Sequence, residues 1–393
     1  MTATATKQTS KIDIWSDEIL TDPYEAFTEL REQAPAVYLE NSDVWAIGRY
    51  ADIRDALANW EAFSSTKVAF NPQMNEVLTG TTLASDPPLH TQLRATLSEN
   101  LTPRALRGLK VTIDEKADRL VAEMVDRGSF DGVTDLAQEL PLQIVLDLIG
   151  VQGEVREKIL PWGAAAFNLL GPMNERAQQS FPLAGELFEW THGMEGDKLA
   201  EGSIGRAIFD AGARGDIPAE LCGHIIHQYL AAGMDTTIGS IANAIRLLGE
   251  HPDEFAKLKA DPTLVPAAFN EVLRIEAAVH AWGRGTTRDV EVGDTVIPEG
   301  SQVAILFYAG NRDPRQYENP DTFSIERNPV DHLSFGYGVH GCAGQGLAKL
   351  EAHAIIEAFA RRVKSFEVGA STVNLNNSSR VLKSLEVKSV VAA

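Results

Sequence analysis

Hydrophobic positions recur every three or four residues over most of the chain, which is the spacing of one face of an α-helix. This spacing predicts helices over residues 22–34, 51–62, 90–125, 134–150, 154–168, 174–195, 218–250, 262–276 and 346–363. The helix over residues 218–250 is the longest of them. At 1.5 Å per residue it would measure about 50 Å, which is enough to cross the molecule.

Strand patterns are fewer, and most of them lie late in the chain. Residues 35–50 alternate like a β-hairpin with its turn at 41–43, and residues 284–313 have the pattern of short strands joined by Gly-Asp and Pro-Glu-Gly turns. Residues 64–88 are irregular and predict a functional loop. The sequence therefore predicts a mainly α fold with a minor β region. We find no linker and expect one domain over residues 1–393, with a short disordered N-terminus of about residues 1–12.

The composition excludes some classes of function. A formal net charge of −20 argues against nucleic-acid binding, because neutralising phosphates requires clustered Lys and Arg. No apolar run is long enough to span a bilayer, so we expect no membrane association. Cys222 and Cys342 are the only cysteines, which favours a cytoplasmic location over a disulfide framework. We expect a monomer.

Cys342 lies in a glycine-rich stretch near the end of the chain, FGYGVHGCAGQG over residues 335–346. Gly336, Gly338 and Gly341 have the spacing of a dinucleotide-binding turn, which would indicate an NAD-dependent dehydrogenase. Such a turn must follow a strand within a βαβ unit, and the LSF segment at this point is too short to be a convincing parallel strand. In the interpretation that we favour, the glycines let the backbone approach a haem closely and Cys342 binds its iron as a thiolate.

The pattern Phe335-x-x-Gly338-x-His340-x-Cys342-x-Gly344 resembles the haem-binding loop of the cytochrome P-450 monooxygenases. The resemblance implies that family's fold, with haem b buried between the long central helix and the C-terminal cysteine loop. It also implies that Cys342 is the axial ligand of the haem iron. The loop residues that it assigns to haem binding are Phe335, Gly336, His340 and Gly344.

A second match lies inside the long helix, in the stretch AGMDTT over residues 232–237. Gly233 in a helix interior costs about 1 kcal/mol relative to alanine, a cost that is easier to accept where a ligand approaches the backbone. In the family, the acid and the threonine at these positions lie beside the iron where oxygen binds. The resemblance therefore assigns proton delivery to Asp235 and Thr236, and contact with haem and substrate to Ala232.

Two further charged patterns match the family. Glu271 and Arg274 share a helix face, and the resemblance implies that they form a buried structural ion pair joined by Arg327. His90-x-x-x-Arg94 places an imidazole and a guanidinium one helical turn apart. A cationic cluster suits the two carboxylates of a haem. The residues that the resemblance assigns to the haem propionates are His90, Arg94, Arg284 and His340.

The resemblance implies a haem-thiolate monooxygenase that uses O2 and two electrons, originally from NAD(P)H. Because the sequence shows no flavin or iron–sulfur segment, a [2Fe–2S] ferredoxin or an iron–sulfur/flavin reductase would deliver the electrons. A basic group that suits an acidic partner consists of Arg94, Arg104, Arg107 and Lys110. The alternative is a haem-thiolate electron carrier or sensor without oxygenase activity, which would have no use for a proton relay.

The family's pocket positions carry aromatic and apolar side chains here, which suit a small aromatic substrate. These positions are Val68, Phe70, Phe167, Leu170, Ala232, Val279 and Trp282. The stretch FNLLGPMNE resembles bacterial members that oxidise para-methoxy- and para-alkyl-substituted benzoates, which implies hydroxylation or O-demethylation. A buried carboxylate needs paired donors, and this chain has Lys67 in the loop and His227, Gln228 and Ala231 on the helix. We expect a methoxy- or alkyl-substituted phenol or benzoate, and favour the neutral aryl ether.

Overall fold

A computed structural model of the chain describes residues 7–151 and 155–393. The fold is mainly α with a minor β region, as predicted. The helices in chain order are Asp17–Thr21 (α1), Tyr24–Gln33 (α2), Tyr50–Ala58 (α3), Pro72–Val77 (α4), Leu89–Ser98 (α5), Pro103–Arg127 (α6), Glu139–Ile149 (α7), Arg156–Asn168 (α8), Glu175–His192 (α9), Ile204–Arg214 (α10), Leu221–Gly233 (α11), Asp235–Glu250 (α12), Pro252–Ala260 (α13), Val265–Ile275 (α14), Phe307–Asn311 (α15) and Gln345–Arg362 (α16).

The strands form three small sheets. In chain order they are Thr9–Ser10 (β1), Ala36–Leu39 (β2), Val44–Ile47 (β3), Phe63–Ser64 (β4), Phe130–Asp131 (β5), Ala281–Thr286 (β6), Val290–Val292 (β7), Thr295–Ile297 (β8), Gln302–Leu306 (β9), Val363–Leu375 (β10) and Arg380–Ala392 (β11). The largest sheet has the order β1-β2-β3-β9-β6-β4, the second has the order β10-β11-β5, and β7 pairs with β8.

The largest sheet joins strands from the N-terminal part of the chain to β6 and β9, which lie more than 200 residues later. The predicted hairpin β2–β3 is present, and β3 runs parallel to β9. Strand β6 pairs antiparallel with β9 and with β4, so the start of the irregular 64–88 segment is held beside β6. Strand β1 pairs with β2, so the predicted disorder is wrong for residues 9–10. Residues 1–6 lie outside the described part of the chain.

Two hydrophobic clusters build the core. The larger one includes α12, whose Ile241, Ala244 and Ile245 are fully buried, together with side chains of α6, α7, α14 and α16. The second one lies on the large sheet and includes Leu39 and Ile305. The apolar faces of the helices predicted from their spacing are therefore the ones that pack.

The predicted long helix over residues 218–250 is wrong as one continuous rod. It is interrupted at Met234, with φ −107° and ψ −71°, so α11 ends at Gly233 and α12 begins at Asp235. The hydroxyl of Thr236 donates to the carbonyl oxygen of Ala232 at 3.0 Å. A side-chain hydroxyl that bonds to a backbone carbonyl one turn earlier competes with the helical pattern and bends the helix.

Other predicted boundaries also differ. The predicted helix over residues 90–125 is divided at Thr102, whose side chain caps α6, and Pro103 occupies the first turn of that helix. Pro103 cannot donate a backbone hydrogen bond, so a helix starts there more readily than it continues. The irregular 64–88 segment contains the short helix α4, and a π-helical stretch over Gly132–Ala137 precedes α7.

Glu351, on α16, is a carboxyl group buried in the larger core. It is 1% exposed, and among the described residues its Oε1 atom has no hydrogen-bond partner. Burial raises its pKa from 4.5 to about 8. The folded state therefore keeps this proton over a pH range in which the unfolded chain has lost it.

We expect Glu351 to make the protein less stable as the pH rises. Because the folded state binds more protons between pH 4.5 and about pH 8, the free energy of unfolding falls across that window. The loss by pH 7 is on the order of 3 kcal/mol. Urea unfolding between pH 4.5 and about pH 8 should show a smaller decrease in the free energy of unfolding for Glu351→Gln than for the wild type. Glu357→Gln on the same helix should leave the slope unchanged, and equal slopes for all three proteins would contradict this.

Candidate active site

The cysteine loop is held in a tight conformation by its glycines. The backbone N–H of Cys342 donates to the carbonyl oxygen of Phe335 at 2.7 Å, which closes the loop. Gly336 and Gly338 have φ values of +68° and +70°, in the left-handed region. A Cβ atom on Gly338 would lie 2.4 Å from the carbonyl oxygen of Leu57, so only glycine fits against α3 there.

The sulfur of Cys342 lies where several groups favour its ionised form. Burial raises the pKa of the Cys342 thiol, whereas hydrogen bonds from the backbone N–H groups of Gly344 and Gln345 and the charge of Arg94 act in the opposite direction. Gln345 begins α16, so the helix N-terminus also faces this side chain. Donors directed at a sulfur stabilise a thiolate ligand.

Two imidazoles and a guanidinium lie beside this loop. The ring centroids of His90 and His340 are 4.1 Å apart. Neither ring nitrogen of His90, nor Nε2 of His340, has a hydrogen-bond partner within residues 7–151 and 155–393. Burial lowers the pKa of His340 to about 3. Arg94 donates from Nη2 to the carbonyl oxygen of Gly341 and from Nε to the hydroxyl of Ser98.

Arg284 supplies a second guanidinium from β6. It is 6% exposed and donates to the carbonyl oxygen of Gly283 at 2.7 Å. Burial lowers its pKa to about 10, against the opposing charge of Asp86. Buried imidazole nitrogens without partners, together with two guanidinium groups, are suited to carboxylates. With the thiol of Cys342 beside them, these residues fit a haem and its two propionates.

The break between α11 and α12 carries the predicted proton relay. Ala232 is exposed although it belongs to a core helix, and the carbonyl group of this residue accepts the Thr236 hydroxyl. Burial raises the pKa of Asp235 to about 7. A carboxyl group with a pKa near neutrality is suited both to accepting and to releasing a proton.

The structure brings Glu271, Arg274 and Arg327 together. The side chains of Glu271 and Arg274 are fully buried and form two hydrogen bonds of 2.8 Å each. Arg327 donates from Nε to the same Glu271 carboxylate at 3.1 Å. Arg274 also donates to the carbonyl oxygens of Asn311 and Pro320, so this network ties α14 to the segment that leads to the cysteine loop.

The predicted pocket residues other than Ala232 lie close to one another, and we call this group the pocket wall. The backbone N–H of Phe70 donates to the carbonyl oxygen of Leu170 at 2.8 Å, and the ring centroids of Phe167 and Trp282 are 6.0 Å apart. Val68 is fully buried and accepts a backbone hydrogen bond from Gly283 in β6. Val279 packs with Phe70 and Trp282 against the sheet cluster. Ala232 belongs to the helix break rather than to this wall.

Lys67 and His227 contact other groups and do not form a paired site for a substrate carboxylate. Lys67 donates from Nζ to the carbonyl oxygen of Gly300, in an exposed position. The Nδ1 atom of His227 lies 3.4 Å from the hydroxyl oxygen of Thr191. Burial lowers the pKa of His227 to about 4, so its side chain is neutral at pH 7.

Sequence reasoning missed the turn between β10 and β11, residues 376–379. Its four polar residues are each at most 1% exposed. The side chain of Asn377 bonds to Asn168 and Asn174 at the α8–α9 connection, and the indole N–H of Trp15 donates to the Asn377 carbonyl oxygen at 3.1 Å. A run of Asn and Ser typically indicates a solvent-exposed turn, so the sequence carried no signal for its burial.

Comparison with known proteins identifies the family. Residues 220–381 match the family model for cytochrome P-450. Cytochrome P-450 CYP199A2 from Rhodopseudomonas palustris is 35% identical over 384 residues, which cover 96% of this chain and 93% of that protein. The chain is a cytochrome P-450.

Other members of the cytochrome P-450 family show how broad the similarity is. The 6-deoxyerythronolide B hydroxylase of Saccharopolyspora erythraea is 30% identical, over 91% of this chain and 92% of that protein. The solved structure of cytochrome P-450 CREJ in complex with (4-ethylphenyl) dihydrogen phosphate has a TM-score of 0.85 and 30% identity, over 98% of this chain and 99% of that one. Both the fold and the family predicted from the cysteine loop are confirmed.

Family membership decides between a monooxygenase, a haem-thiolate electron carrier or sensor, and an NAD-dependent dehydrogenase. This cytochrome P-450 is a monooxygenase that uses haem and O2, so an electron carrier or sensor without oxygenase activity is set aside. The dehydrogenase alternative is wrong, because a 3-10 turn over Leu333–Phe335 precedes the glycines, where a dinucleotide site requires a parallel strand. Over the described residues, no helix is long and apolar enough to cross a membrane.

Proposed function

We propose that this cytochrome P-450 hydroxylates or O-demethylates a small aromatic substrate that carries a methoxy or alkyl group. The observation that carries the proposal is the wall formed by Phe70, Phe167 and Trp282, because flat apolar side chains suit an aromatic ring. The CREJ complex supports an aromatic ring with an alkyl group, since its bound molecule is (4-ethylphenyl) dihydrogen phosphate.

Different residues of the site would bind the iron, bind the haem carboxylates and transfer protons. Cys342 provides the thiolate ligand, and the bound haem supplies the activation of oxygen. His90, Arg94, Arg284 and His340 would hold the haem carboxylates. Asp235 would accept and release protons at the helix break, and Thr236 would stabilise that break through its bond to the Ala232 carbonyl oxygen.

The surroundings of Lys67 favour a neutral substrate over a benzoate. Its ammonium group already donates to the Gly300 carbonyl oxygen in an exposed position. A buried carboxylate without paired donors is strongly disfavoured, whereas a methoxyphenol carries no charge to be compensated. A methoxy- or alkyl-substituted benzoate is the second candidate, which the resemblance to benzoate-oxidising members favours.

A titration followed by product analysis tests the proposal. Guaiacol, 4-alkylguaiacol and 4-methoxybenzoate are added to the haem-loaded protein, and the shift in iron spin state is recorded for each. We expect the two guaiacols to produce a shift and to yield formaldehyde and a demethylated phenol on turnover. The absence of both a spin shift and formaldehyde for all three ligands would overturn the proposed function.

We also propose that the electrons pass from NAD(P)H through a [2Fe–2S] ferredoxin or an iron–sulfur/flavin reductase. Arg104, Arg107 and Lys110 are exposed on the first turns of α6. A Cβ atom on Gly346 would lie 2.7 Å from the side chain of Leu106, which places these turns beside the start of α16 and the cysteine loop. Arg94 does not belong to this exposed group, because it is turned toward Gly341.

Charge reversal on α6 should therefore weaken reduction by an acidic partner. For Arg104→Glu/Arg107→Glu we expect the second-order rate constant of reduction by a [2Fe–2S] ferredoxin to fall by about tenfold at low salt. The difference should shrink as salt is added. Stopped-flow reduction measures it, with Arg214→Glu on α10 as the control. An equal loss in that control, or no loss in the double variant, would contradict the assignment of this surface.

We further propose a single-domain monomer in the cytoplasm that does not bind nucleic acid. The net charge of −20 and the two cysteines support this proposal.

A further inference from the structure

The buried turn between β10 and β11 lies against the elements of the pocket wall. The side-chain amide of Asn376 donates to the carbonyl oxygen of Ala164 in α8, at 2.8 Å. Trp15, which donates to the carbonyl oxygen of Asn377, has its ring 4.8 Å from that of Phe70. The turn thus closes the space between α8 and the residues that precede β6.

Some polar side chains of this turn have hydrogen-bond partners and others do not. The amides of Asn376 and Asn377 bond to α8, to the α8–α9 connection and to the turn itself. The hydroxyls of Ser378 and Ser379 are buried and, as far as the structure describes the chain, have no partner. Burying a hydroxyl without a partner is unfavourable, so such a group indicates a ligand or a water that completes it.

The strand register assigns the two hydroxyls to opposite faces. Ser379 is paired with Val279 in an antiparallel bridge. The backbone N–H of His280 donates to the carbonyl oxygen of Ser378 at 3.2 Å, which places these two residues opposite each other. Residues directly opposite in an antiparallel pair carry their side chains on the same face, and the next pair along carries them on the other. Ser379 therefore shares its face with Val279, and Ser378 shares the other face with His280.

We infer that the hydroxyl of Ser379 recognises the phenolic hydroxyl of a neutral guaiacol-type substrate. The inference rests on the proposed function, because it takes Val279 as part of the substrate pocket. Beside an apolar side chain, one uncharged hydroxyl provides a single hydrogen bond, which matches a phenol and is insufficient for a carboxylate.

The cationic residue next to Ser379 in the sequence, Arg380, does not provide a partner for a substrate carboxylate. Arg380 follows Ser379, but its backbone N–H donates to the carbonyl oxygen of Ala278, so its side chain lies on the face of Ser378 and His280. There it bonds to the carboxylate of Glu276 at 2.8 Å. Lys67 donates to the carbonyl oxygen of Gly300 in an exposed position. Neither Arg380 nor Lys67 is therefore placed to compensate the charge of a carboxylate beside Ser379.

The test removes the hydroxyl from the ligand and from the protein in turn. The ligands are 4-propylguaiacol and 3-propylanisole, which is the same molecule without its phenolic hydroxyl. Dissociation constants are measured from the spin-state shift of the haem-loaded wild type, of Ser379→Ala and of Ser378→Ala. The Ser378→Ala variant removes an equally buried hydroxyl from the opposite face and is the matched control.

We expect the wild type and Ser378→Ala to bind 4-propylguaiacol roughly fivefold to tenfold more tightly than 3-propylanisole, the factor expected of one neutral hydrogen bond. In Ser379→Ala the preference should disappear while 3-propylanisole binds as before. A preference that survives in Ser379→Ala overturns the inference and leaves the proposed function standing, as does a wild type that binds both ligands equally. If neither ligand changes the spin state, the inference fails, and the proposed function fails with it only if guaiacol and 4-methoxybenzoate also give neither a spin shift nor formaldehyde.

Discussion

Arg274→Ala is expected to lower the free energy of unfolding by about 3–5 kcal/mol, because it breaks a fully buried ion pair by removing one partner. The side chains of Glu271 and Arg274 are both 0% exposed. Removing the guanidinium leaves the Glu271 carboxylate with Arg327 as its remaining cation and leaves the carbonyl oxygens of Asn311 and Pro320 without a donor. The Glu271 carboxylate and the Asn311 carbonyl group are buried, so water does not readily replace the contacts that they lose.

Urea unfolding of the haem-loaded protein measures this effect. Arg206→Ala is the control, because its ion pair with Asp210 is partly exposed and should contribute less than about 1 kcal/mol. Arg274→Lys keeps the charge but not the two parallel hydrogen bonds, so it should fall between the wild type and Arg274→Ala, and it stays informative if the alanine variant does not fold. A loss below 1 kcal/mol in both Arg274 variants would show that this network does not stabilise the fold.

The second large effect is expected from Thr236→Ala. This variant should still bind substrate and take up electrons, while most of the oxygen consumed appears as hydrogen peroxide and product per electron falls severalfold. The reason is that the Thr236 hydroxyl bonds to the Ala232 carbonyl oxygen at the helix break, next to Asp235, which is the proposed proton carrier. For Asp235→Asn we expect the turnover number to fall on the order of 10²-fold, the usual contribution of one acid–base group.

Oxygen, peroxide and product are measured together for these variants. Thr236→Ser keeps the hydroxyl and should recover most of the coupling, whereas Thr237→Ala changes a neighbouring threonine that is buried in the helix core. Unchanged product per electron in Thr236→Ala would remove this residue from the relay. A loss of coupling in Thr237→Ala as large as in Thr236→Ala would attribute the effect to helix packing instead.

The features that the sequence predicted well are those whose signal is local. The cysteine loop is a contiguous pattern in which the type and spacing of residues carry the chemistry, and the bonds of Cys342 stay within that loop and the start of α16. Glu271 and Arg274 lie one turn apart on a single helix, so their pairing follows from helical spacing. The hairpin β2–β3 is equally local.

The features that were missed depend on partners that are distant in the chain. The break at Met234 follows from competition between a side chain and the backbone, which hydrophobic spacing does not report. The polar turn at residues 376–379 is buried because Trp15, α8 and the start of α9 surround it, and these segments lie more than 200 residues away. Lys67 could be seen as a candidate in the sequence, but its bond to Gly300 depends on the pairing of β6 with β9.

The most direct test of the account is the absorption spectrum of the reduced, CO-bound protein, recorded for the wild type and for Cys342→Ser. For the wild type we predict the strongly red-shifted main band that a thiolate ligand produces, and for the variant the loss of that band together with the loss of substrate turnover. A Cys342→Ser protein that keeps both the shifted band and the turnover would contradict the assignment of the iron ligand, and with it the assignments made from the cysteine loop.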